Sequence, residues 1–184
     1  HGNTTTTAYS SAVDGGAANT VTTTNPLGHT TVEKKDVRSQ TVEEIDANNN
    51  ATHLQYDPLG RLTSVWLPDR DKATQSPNLK FEYHIRNDAP TVVLSQNLRN
   101  NDSYNTTYTL YDAFLRERQI QAPAVGGGRL ITDTFHDSRG LVVKEREPYY
   151  NIEDPSGTLL VVNNDDDVPR QTETVYDGAE RATE

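Results

Sequence analysis

The sequence predicts an all-β protein in which antiparallel β-hairpins repeat along a curved or spiralling sheet. Threonine and asparagine are abundant, at 24 and 15 residues. Threonine fits a half-solvated pleated strand, and asparagine fits turns. No stretch of a dozen residues shows the 3.6-residue period of an amphipathic helix. A short turn phrase also recurs between strand-like runs, which is typical of a repeated strand–turn–strand unit.

The phrase is clearest at Tyr56-Asp57-Pro58-Leu59-Gly60, which is followed by Arg61. Asp first, proline second and glycine fourth is the preferred pattern of a type I turn with a positive-φ residue after it. Such a turn joins antiparallel strands. The residues before it alternate as a strand should, because Leu54 and Tyr56 share one face.

Other segments of the chain fit the same frame, with Asp or Asn at the first turn position. They are Asn25 to Gly28, Asp46 to Asn49, Tyr111-Asp112, Asp137 to Gly140 and Tyr176-Asp177. We predict positive φ at the closing residues Gly28, Asn49, Gly60 and Gly140. Leu115 and Glu180 stand at that position in two frames and are poor there. We therefore predict that those two turns differ in geometry.

The length of 184 residues suits one ordinary domain. We divide it into a flexible arm or weak strand over 1–19 and a repeat segment over 20–184. Loops are predicted over 68–78, 100–105, 123–128 and 149–157, and a strand over 158–162. Leu, Ile, Val and Phe make up only about 20% of the residues. The core should therefore be thin and in need of neighbouring chain.

Charge and composition exclude several classes of function. The formal net charge is -10, which is opposite to the basic face that binding of nucleic acid requires. No apolar run approaches the roughly 20 residues of a membrane-spanning helix, so membrane insertion is not expected. The absence of cysteine excludes disulfides, thiolate metal sites and a cysteine nucleophile.

The turn phrase resembles the YD repeat of the rearrangement-hotspot (RHS) family, which includes bacterial polymorphic toxins, shell subunits of insecticidal toxin complexes and teneurins. Tyr56 to Leu62 carries the resemblance, and the frames at Gly28, Tyr111, His136 and Tyr176 are weaker copies. The resemblance covers residues 20–184. It implies a sheet of hairpins that spirals into a hollow shell, which in the toxins encloses a C-terminal cytotoxic domain. The chain is shorter than a closed shell needs and lacks the family's self-cleavage signature.

Nothing in the sequence predicts a catalytic residue, a metal site or a cofactor. The histidines, at 1, 29, 53, 84 and 136, have none of the common zinc spacings. The acidic run Asn163 to Asp167 lacks the spacing of a calcium loop, so a solvated turn is favoured over a calcium site. Gly126 to Gly128 has no lysine after it and is interpreted as a flexible turn. A hydrolase that uses paired carboxylates is the weakest of three hypotheses.

The favoured hypothesis is a non-catalytic structural segment of a secreted or surface bacterial RHS/YD-repeat protein. It would build a shell or scaffold that encloses or displays an effector. Its partners would be the remaining repeats of the parent chain, a second copy or an enclosed effector domain. The alternative is a carbohydrate- or protein-binding module that uses the aromatic residues Trp66, Tyr149 and Tyr150. For Trp66, packing on its own sheet is the competing interpretation.

Overall fold

The protein is all-β, as the sequence predicts. The computed structural model describes residues 3–11, 16 and 18–183, and it contains thirteen strands and one short 3-10 helix in that part of the chain. The strands pair in antiparallel fashion, each with its neighbours in the chain. The chain divides into two compact units, residues 1–80 and 81–184, here called the first and second units.

The first unit consists of short hairpins with little burial. Its strands are β1 (Thr6–Ser10), β2 (Thr20–Thr24), β3 (Thr30–Lys35), β4 (Thr41–Ile45), β5 (Ala51–Tyr56), β6 (Leu62–Trp66) and the start of β7 (Leu79–His84). Part of the predicted arm over 1–19 therefore forms β1, which pairs with β2. Residues 1, 2, 12–15 and 17 of that arm lie outside the described residues.

Burial in the first unit is concentrated at the end of β6. Val65 and Trp66 are buried there, and Pro77 of the following loop is the other buried apolar residue of this unit among those described. The loop after β6 folds back over the indole, whose Nε1 donates to the Gln75 carbonyl at 2.9 Å. The Lys72 ammonium lies 5.3 Å from the centre of the Trp66 ring. By contrast, every residue of β1 is exposed.

The second unit contains the rest of β7 and six further strands, most of them longer than those of the first unit. They are β8 (Thr91–Leu98), β9 (Tyr104–Tyr111), β10 (Glu117–Pro123), β11 (Arg129–His136), β12 (Val142–Asn151) and β13 (Gln171–Glu173). The predicted loop over 149–157 is wrong at its start, because Tyr149 and Tyr150 belong to β12. They pair there with Ile131 and Leu130.

Residues 152–170, here called the strap, connect β12 to β13 across one face of the second unit. The strap contains no β-strand, so the strand predicted over 158–162 is wrong. The reason is that its main chain bonds to side chains of the sheet beneath instead of to a neighbouring strand. Its only regular element is the 3-10 helix Asp165–Asp167.

Two apolar clusters lie between the strap and the strands of the second unit. In the first, Val92, Leu94 and Leu110 are buried, and Leu159 of the strap packs against them. In the second, Ile131, Tyr149 and Val168 are buried, and Leu160 and Val162 of the strap complete the cluster. The strap therefore supplies part of the core of this unit.

Candidate functional site: the Asp-centred turns and the covered face

One five-residue turn recurs along the chain, and the turn at Asp57 shows its geometry. The Asp57 amide donates to the Arg61 carbonyl at 2.9 Å, and the Gly60 amide donates to the Asp57 carbonyl at 3.0 Å. The Asp57 Oδ1 atom accepts from the amides of Leu59 and Arg61, both at 2.9 Å. A single side-chain oxygen therefore satisfies two turn amides, which favours Asp or Asn at position 1.

The same four hydrogen bonds form in six more turns. Their position-1 residues are Asn25, Asp36, Asp46, Asp112, Asp137 and Asp177. The turn at Asp36 was missed in the sequence because Ser39 stands where glycine was expected. The arginine two residues after Asp36, as after Asp137, is the signal that could have found it.

Position 4 of each turn has positive φ. The four closing residues predicted from the sequence have φ of 82° at Gly28, 66° at Asn49, 82° at Gly60 and 91° at Gly140. The prediction that the other two frames differ is wrong, because Leu115 and Glu180 have φ of 59° and 63°. The hydrogen bonds at position 1 thus impose the left-handed conformation even on residues that disfavour it.

The second carboxylate oxygen of the turn aspartate binds a side chain of its own turn. Arginine fills this role from position 5, as in Arg61 and Arg116, or from position 3, as in Arg38 and Arg139. The guanidinium is placed by the turn, so the ion pair is local, and it is partly exposed to solvent. Asn50 takes the same place beside Asp46, with its Nδ2 donating at 2.9 Å.

These hydrogen bonds favour the ionised carboxylate. The pKa values of Asp36, Asp57 and Asp177 are lowered chiefly by the position-5 amide, and the arginine of each turn adds to the effect. The pKa of Asp46 is lowered first by the Asn50 side chain. The turns are therefore organised around carboxylates that stay charged well into acidic conditions.

The turns fall into two classes according to the strand that follows. After the turns at Asp36, Asp57, Asp112 and Asp137 the pairing shifts by one residue, which leaves position 7 as a bulge. The bulged residues are Val42, Thr63, Arg118 and Val143. After the turns at Asn25 and Asp46 the pairing continues without a shift. Because successive hairpin turns alternate between the two ends of the strands, the bulged turns of each unit lie at the same end.

Arginines of the bulged turns also bind the next turn at the same end. Arg38 Nη1 donates to the carbonyls of Asp57 and Pro58 at 3.1 and 3.2 Å. Arg116 Nη1 donates to the Asp137 carbonyl at 3.2 Å, and Arg139 Nη1 donates to the Asp177 carbonyl at 3.0 Å. Each of these arginines thus joins its own turn aspartate to the main chain of a neighbouring turn.

The tyrosine before the aspartate has a related role in two frames. The Tyr56 hydroxyl donates to the Thr41 carbonyl at 2.9 Å, and the Tyr176 hydroxyl donates to the Val142 carbonyl at 3.0 Å. Thr41 and Val142 each directly precede the bulged residue of the preceding same-end turn. Because a bulge disrupts the strand ladder, it leaves main-chain groups in need of partners, and the tyrosine supplies one. This geometry explains why a tyrosine directly precedes the turn aspartate in these two frames.

Asp133 in the middle of β11 is one of three fully buried polar residues among those described in the second unit, and sequence analysis did not identify it. Its side chain is fully buried. Its Oδ1 accepts from Arg118 Nη1 at 2.6 Å and from Gln119 Nε2 at 2.7 Å, and its Oδ2 accepts from the Tyr149 hydroxyl at 2.7 Å. The Nη1 atom of Arg146 lies 3.4 Å from Asp133 Oδ2. An aspartate between two threonines gives no sequence signal of such burial.

The Asp133 cluster extends to the end of the strap. Arg146 Nη2 donates to Asp165 Oδ1 at 2.5 Å, and Lys144 also binds this carboxylate. The hydrogen bond from Lys144, followed by the one from Arg146, lowers the pKa of Asp165 below its ordinary value. Burial, followed by the neighbouring Asp133 carboxylate, raises the pKa of Tyr149 well above its ordinary value. The phenol therefore acts as a hydrogen-bond donor over the whole physiological range.

The three aromatic residues predicted as a binding platform have different surroundings. Trp66 and Tyr149 are each only 6% exposed, and both use their polar atoms within the fold. Tyr150 is 60% exposed and lies over the turn at Gly128, where an added Cβ would come 2.7 Å from the tyrosine hydroxyl oxygen. Burial thus takes Trp66 and Tyr149 out of any exposed stacking surface.

Over residues 3–11, 16 and 18–183, no three His, Asp or Glu side chains converge to hold a metal ion. His84 lies 3.5 Å from Glu82 at the surface, whereas His1 is outside the described residues. None of the helical structure in the described part of the chain is long and apolar enough to cross a membrane.

Comparison with known proteins adds no identification. No protein-family model matches this chain, and no curated protein matches it. Any argument about function therefore depends on two features. One is the repeated turn, and the other is the face of the second unit that the strap crosses, here called the covered face.

Proposed function

We propose that this chain is a non-catalytic structural segment of a secreted or surface bacterial protein of the RHS/YD-repeat type. Its hairpins build part of a shell or scaffold that encloses or displays an effector. The observation that carries this proposal is the turn-to-turn bridge. An arginine bound to its own turn aspartate donates to the main chain of the next same-end turn, in both units.

The bridge supports a structural role because it joins hairpins without depending on the side chains of the accepting turn. Its acceptors are carbonyls, which every residue provides. The Asp–Arg pair within each turn fixes the guanidinium before the neighbouring hairpin arrives, which lowers the entropy lost on forming the contact. A wall built in this way remains continuous while the surface residues vary.

The exposed apolar residues of the turns fit a role in assembly. Leu27 and Leu59 are 80% and 77% exposed, and Phe114 is 79% exposed. All three stand at position 3 of their turns, where the main-chain amide takes part in the turn but the side chain does not. They are available for contact with further repeats of the parent chain or with an enclosed domain.

The test uses the parent polypeptide with its effector in place. Arg38, Arg116 and Arg139 are each replaced by Lys, which keeps the charge but cannot bind the aspartate and the next turn together. We expect the effector to become accessible to protease at a lower protease concentration than in the unaltered parent. Arg170→Lys is the control, since Arg170 forms an exposed pair with Glu147.

Two results would refute the proposal. One is an effector in the unaltered parent that is cleaved as fast as the free effector domain. The other is enzymatic turnover by the purified 184-residue chain that survives removal of contaminating activities. Retention of the parent protein inside the cell that makes it would contradict the secreted or surface location.

A further inference from the structure

The main chain of the strap is bound by the side chains of two glutamines. Gln119 Nε2 donates to the Leu160 carbonyl at 3.0 Å, and the Leu160 amide donates back to Gln119 Oε1 at 2.9 Å. Gln121 Nε2 donates to the Thr158 carbonyl at 2.8 Å, and the Ser156 amide donates to Gln121 Oε1 at 2.9 Å. A primary amide offers one donor side and one acceptor side, as a peptide group does. The two glutamines therefore bind extended main chain independently of its side chains.

Both amides are fixed in this orientation from below. Gln119 and Gln121 are fully buried, and Gln121 Nε2 donates to Gln119 Oε1 at 2.7 Å. Gln119 Nε2 also donates to Asp133 Oδ1, and Arg129 Nη1 donates to Gln121 Oε1 at 2.8 Å. Neither amide can rotate by 180° without placing donor against donor. The side chains of the sheet therefore hold both amides in the orientation that binds the main chain of the strap.

A strap that served only to bury a core would not need these groups. Apolar residues would fill the same space without the desolvation cost of buried amides and a buried guanidinium. Arg129 is only 3% exposed, yet it lies beneath the strap and donates to Gln121 and Ser156. The polar character of the covered face is therefore better explained by recognition of polypeptide than by burial.

The two ends of the strap are held by ion pairs in which the arginine is buried and the strap carboxylate is exposed. Near its start, Glu153 pairs with Arg129 at 2.8 Å, and the Glu153 side chain is 71% exposed. Near its end, Asp165 pairs with Arg146 at 2.5 Å, and the Asp165 side chain is 46% exposed. Because each carboxylate keeps much of its solvent contact, such a pair contributes less to stability than a fully buried one. The ends of the strap are thus held by ion pairs that solvent can reach. Its centre is held by directional hydrogen bonds to the two buried glutamines.

We propose that this face of the second unit is a binding surface for an extended polypeptide, which the strap occupies as a releasable cover. The polypeptide that fits has apolar side chains spaced like Leu159, Leu160 and Val162 of the strap. It also carries a carboxylate near each end, one for Arg129 and one for Lys144 and Arg146. This inference concerns a different surface from the turns and does not depend on the proposed function.

The first experiment measures opening of the strap in the full chain by hydrogen–deuterium exchange. In the variant Glu153→Gln/Asp165→Asn, we expect amides over 153–168 to exchange about two- to thirtyfold faster, the range given by loss of two ion pairs whose carboxylates are exposed. Amides of β11 should exchange at an unchanged rate. The matched control is Glu33→Gln/Glu43→Gln, which removes two surface ion pairs of the first unit, to Lys35 and Lys34, and no contact of the strap. If strap and β11 amides exchange together in one step, the cover is not separately releasable and the proposal fails.

The second experiment measures binding of the strap sequence in trans. A fluorescent peptide of residues 152–170 is titrated into the Glu153→Gln/Asp165→Asn chain and followed by anisotropy. We expect saturable binding, tighter than to the unaltered chain. A peptide methylated on the Leu160 amide nitrogen is the control, because it lacks the hydrogen that Gln119 Oε1 accepts. Equal binding of the two peptides would overturn main-chain recognition, and no binding of either would overturn the surface itself.

Discussion

The two units are built on the same turns but differ in what lies over their strands. In the first unit, burial among the described apolar residues is limited to Val65 and Trp66 of β6 and Pro77 of the loop that follows, and this loop folds over the Trp66 indole. In the second unit, a strap of 19 residues crosses one face and covers two apolar clusters and a set of buried polar groups. Turn chemistry can therefore order a sheet, whereas a core requires a second layer.

The largest expected effect comes from the buried carboxylate of the second unit. Asp133→Ala leaves Arg118 and Arg146 without their shared partner, and loss of one member of a buried ion pair costs about 3–5 kcal/mol. The comparison is Glu43→Ala in the first unit, where the carboxylate pairs with Lys34 at 2.9 Å near the surface. That change should cost no more than about 1 kcal/mol. Hydrogen exchange of amides in β11 and in β4 measures each effect locally, and equal losses would remove the distinction between the units.

A second comparison uses isoleucines on strands of the two units. Ile131 is fully buried in a cluster that the strap completes, so Ile131→Ala should cost about 2–5 kcal/mol. Ile45 is only partly buried in β4, and Ile45→Ala should cost less than about 2 kcal/mol. Urea unfolding of each variant gives the free energies. A larger loss at Ile45 would show that the first unit buries more apolar surface than its exposure indicates.

The third prediction concerns position 4 of the turns. Gly60→Ala should cost about 1–2 kcal/mol, because Gly60 has φ of 82° and the added Cβ would lie 3.0 Å from Gln40 Nε2. Leu115→Gly in the second unit should instead stabilise by up to about 1 kcal/mol, since it relieves a left-handed leucine. Thermal melts in the same buffer compare the two. A clear loss on Leu115→Gly would mean that this exposed leucine makes a contact of its own.

The smallest effect is expected from acid titration of the turns. Because the pKa of Asp57 is lowered in the fold, its stabilising contribution is present above the ordinary pKa near 4 and is lost as the pH falls through the lowered value. Asp57→Asn keeps the Oδ1 acceptor, as Asn25 does naturally, so it should fold at neutral pH and lose less stability on acidification. Asp57→Ala removes the acceptor and should lower the melting temperature at every pH. Melts at pH 6 and pH 3 decide between these outcomes, and an unchanged pH dependence in Asp57→Asn would show that this carboxylate is not among the titrating groups.

The sequence predicts the turns well because their chemistry is local. Asp57 and Gly60 specify their turn through bonds to residues at most four positions away, so the frame is visible in the order of the amino acids. The frame at Asp36 is harder to recognise because Ser39 is a poor residue for positive φ. Its signal is Arg38, which follows Asp36 by two residues, as Arg139 follows Asp137. Local pattern thus identified most of the hairpins and their main-chain geometry.

The covered face could not be predicted because its contacts join distant parts of the chain. Gln119 meets Leu160, which lies 41 residues away, and Asp133 meets Arg118 and Tyr149 from neighbouring strands. Polar residues in a strand ordinarily indicate a solvent-facing side, so the sequence gives no sign that Gln119 and Gln121 are buried. The strap itself has leucine and valine in a strand-like run, which explains the incorrect strand over 158–162. In the structure, the main chain of this run bonds to the side-chain amides of Gln119 and Gln121 instead of to a strand.

The arginine bridges between turns have a consequence for how such a chain can change over generations. Arg38, Arg116 and Arg139 donate to carbonyls of the following same-end turn, so the accepting hairpin needs only the right main-chain course. A block of two strands carrying one such turn can therefore be copied, deleted or exchanged by recombination and still dock against its new neighbour. No matching substitution is required on the other side of the junction. Chains joined in this way can lengthen or shorten by whole blocks while each block accumulates mutations independently.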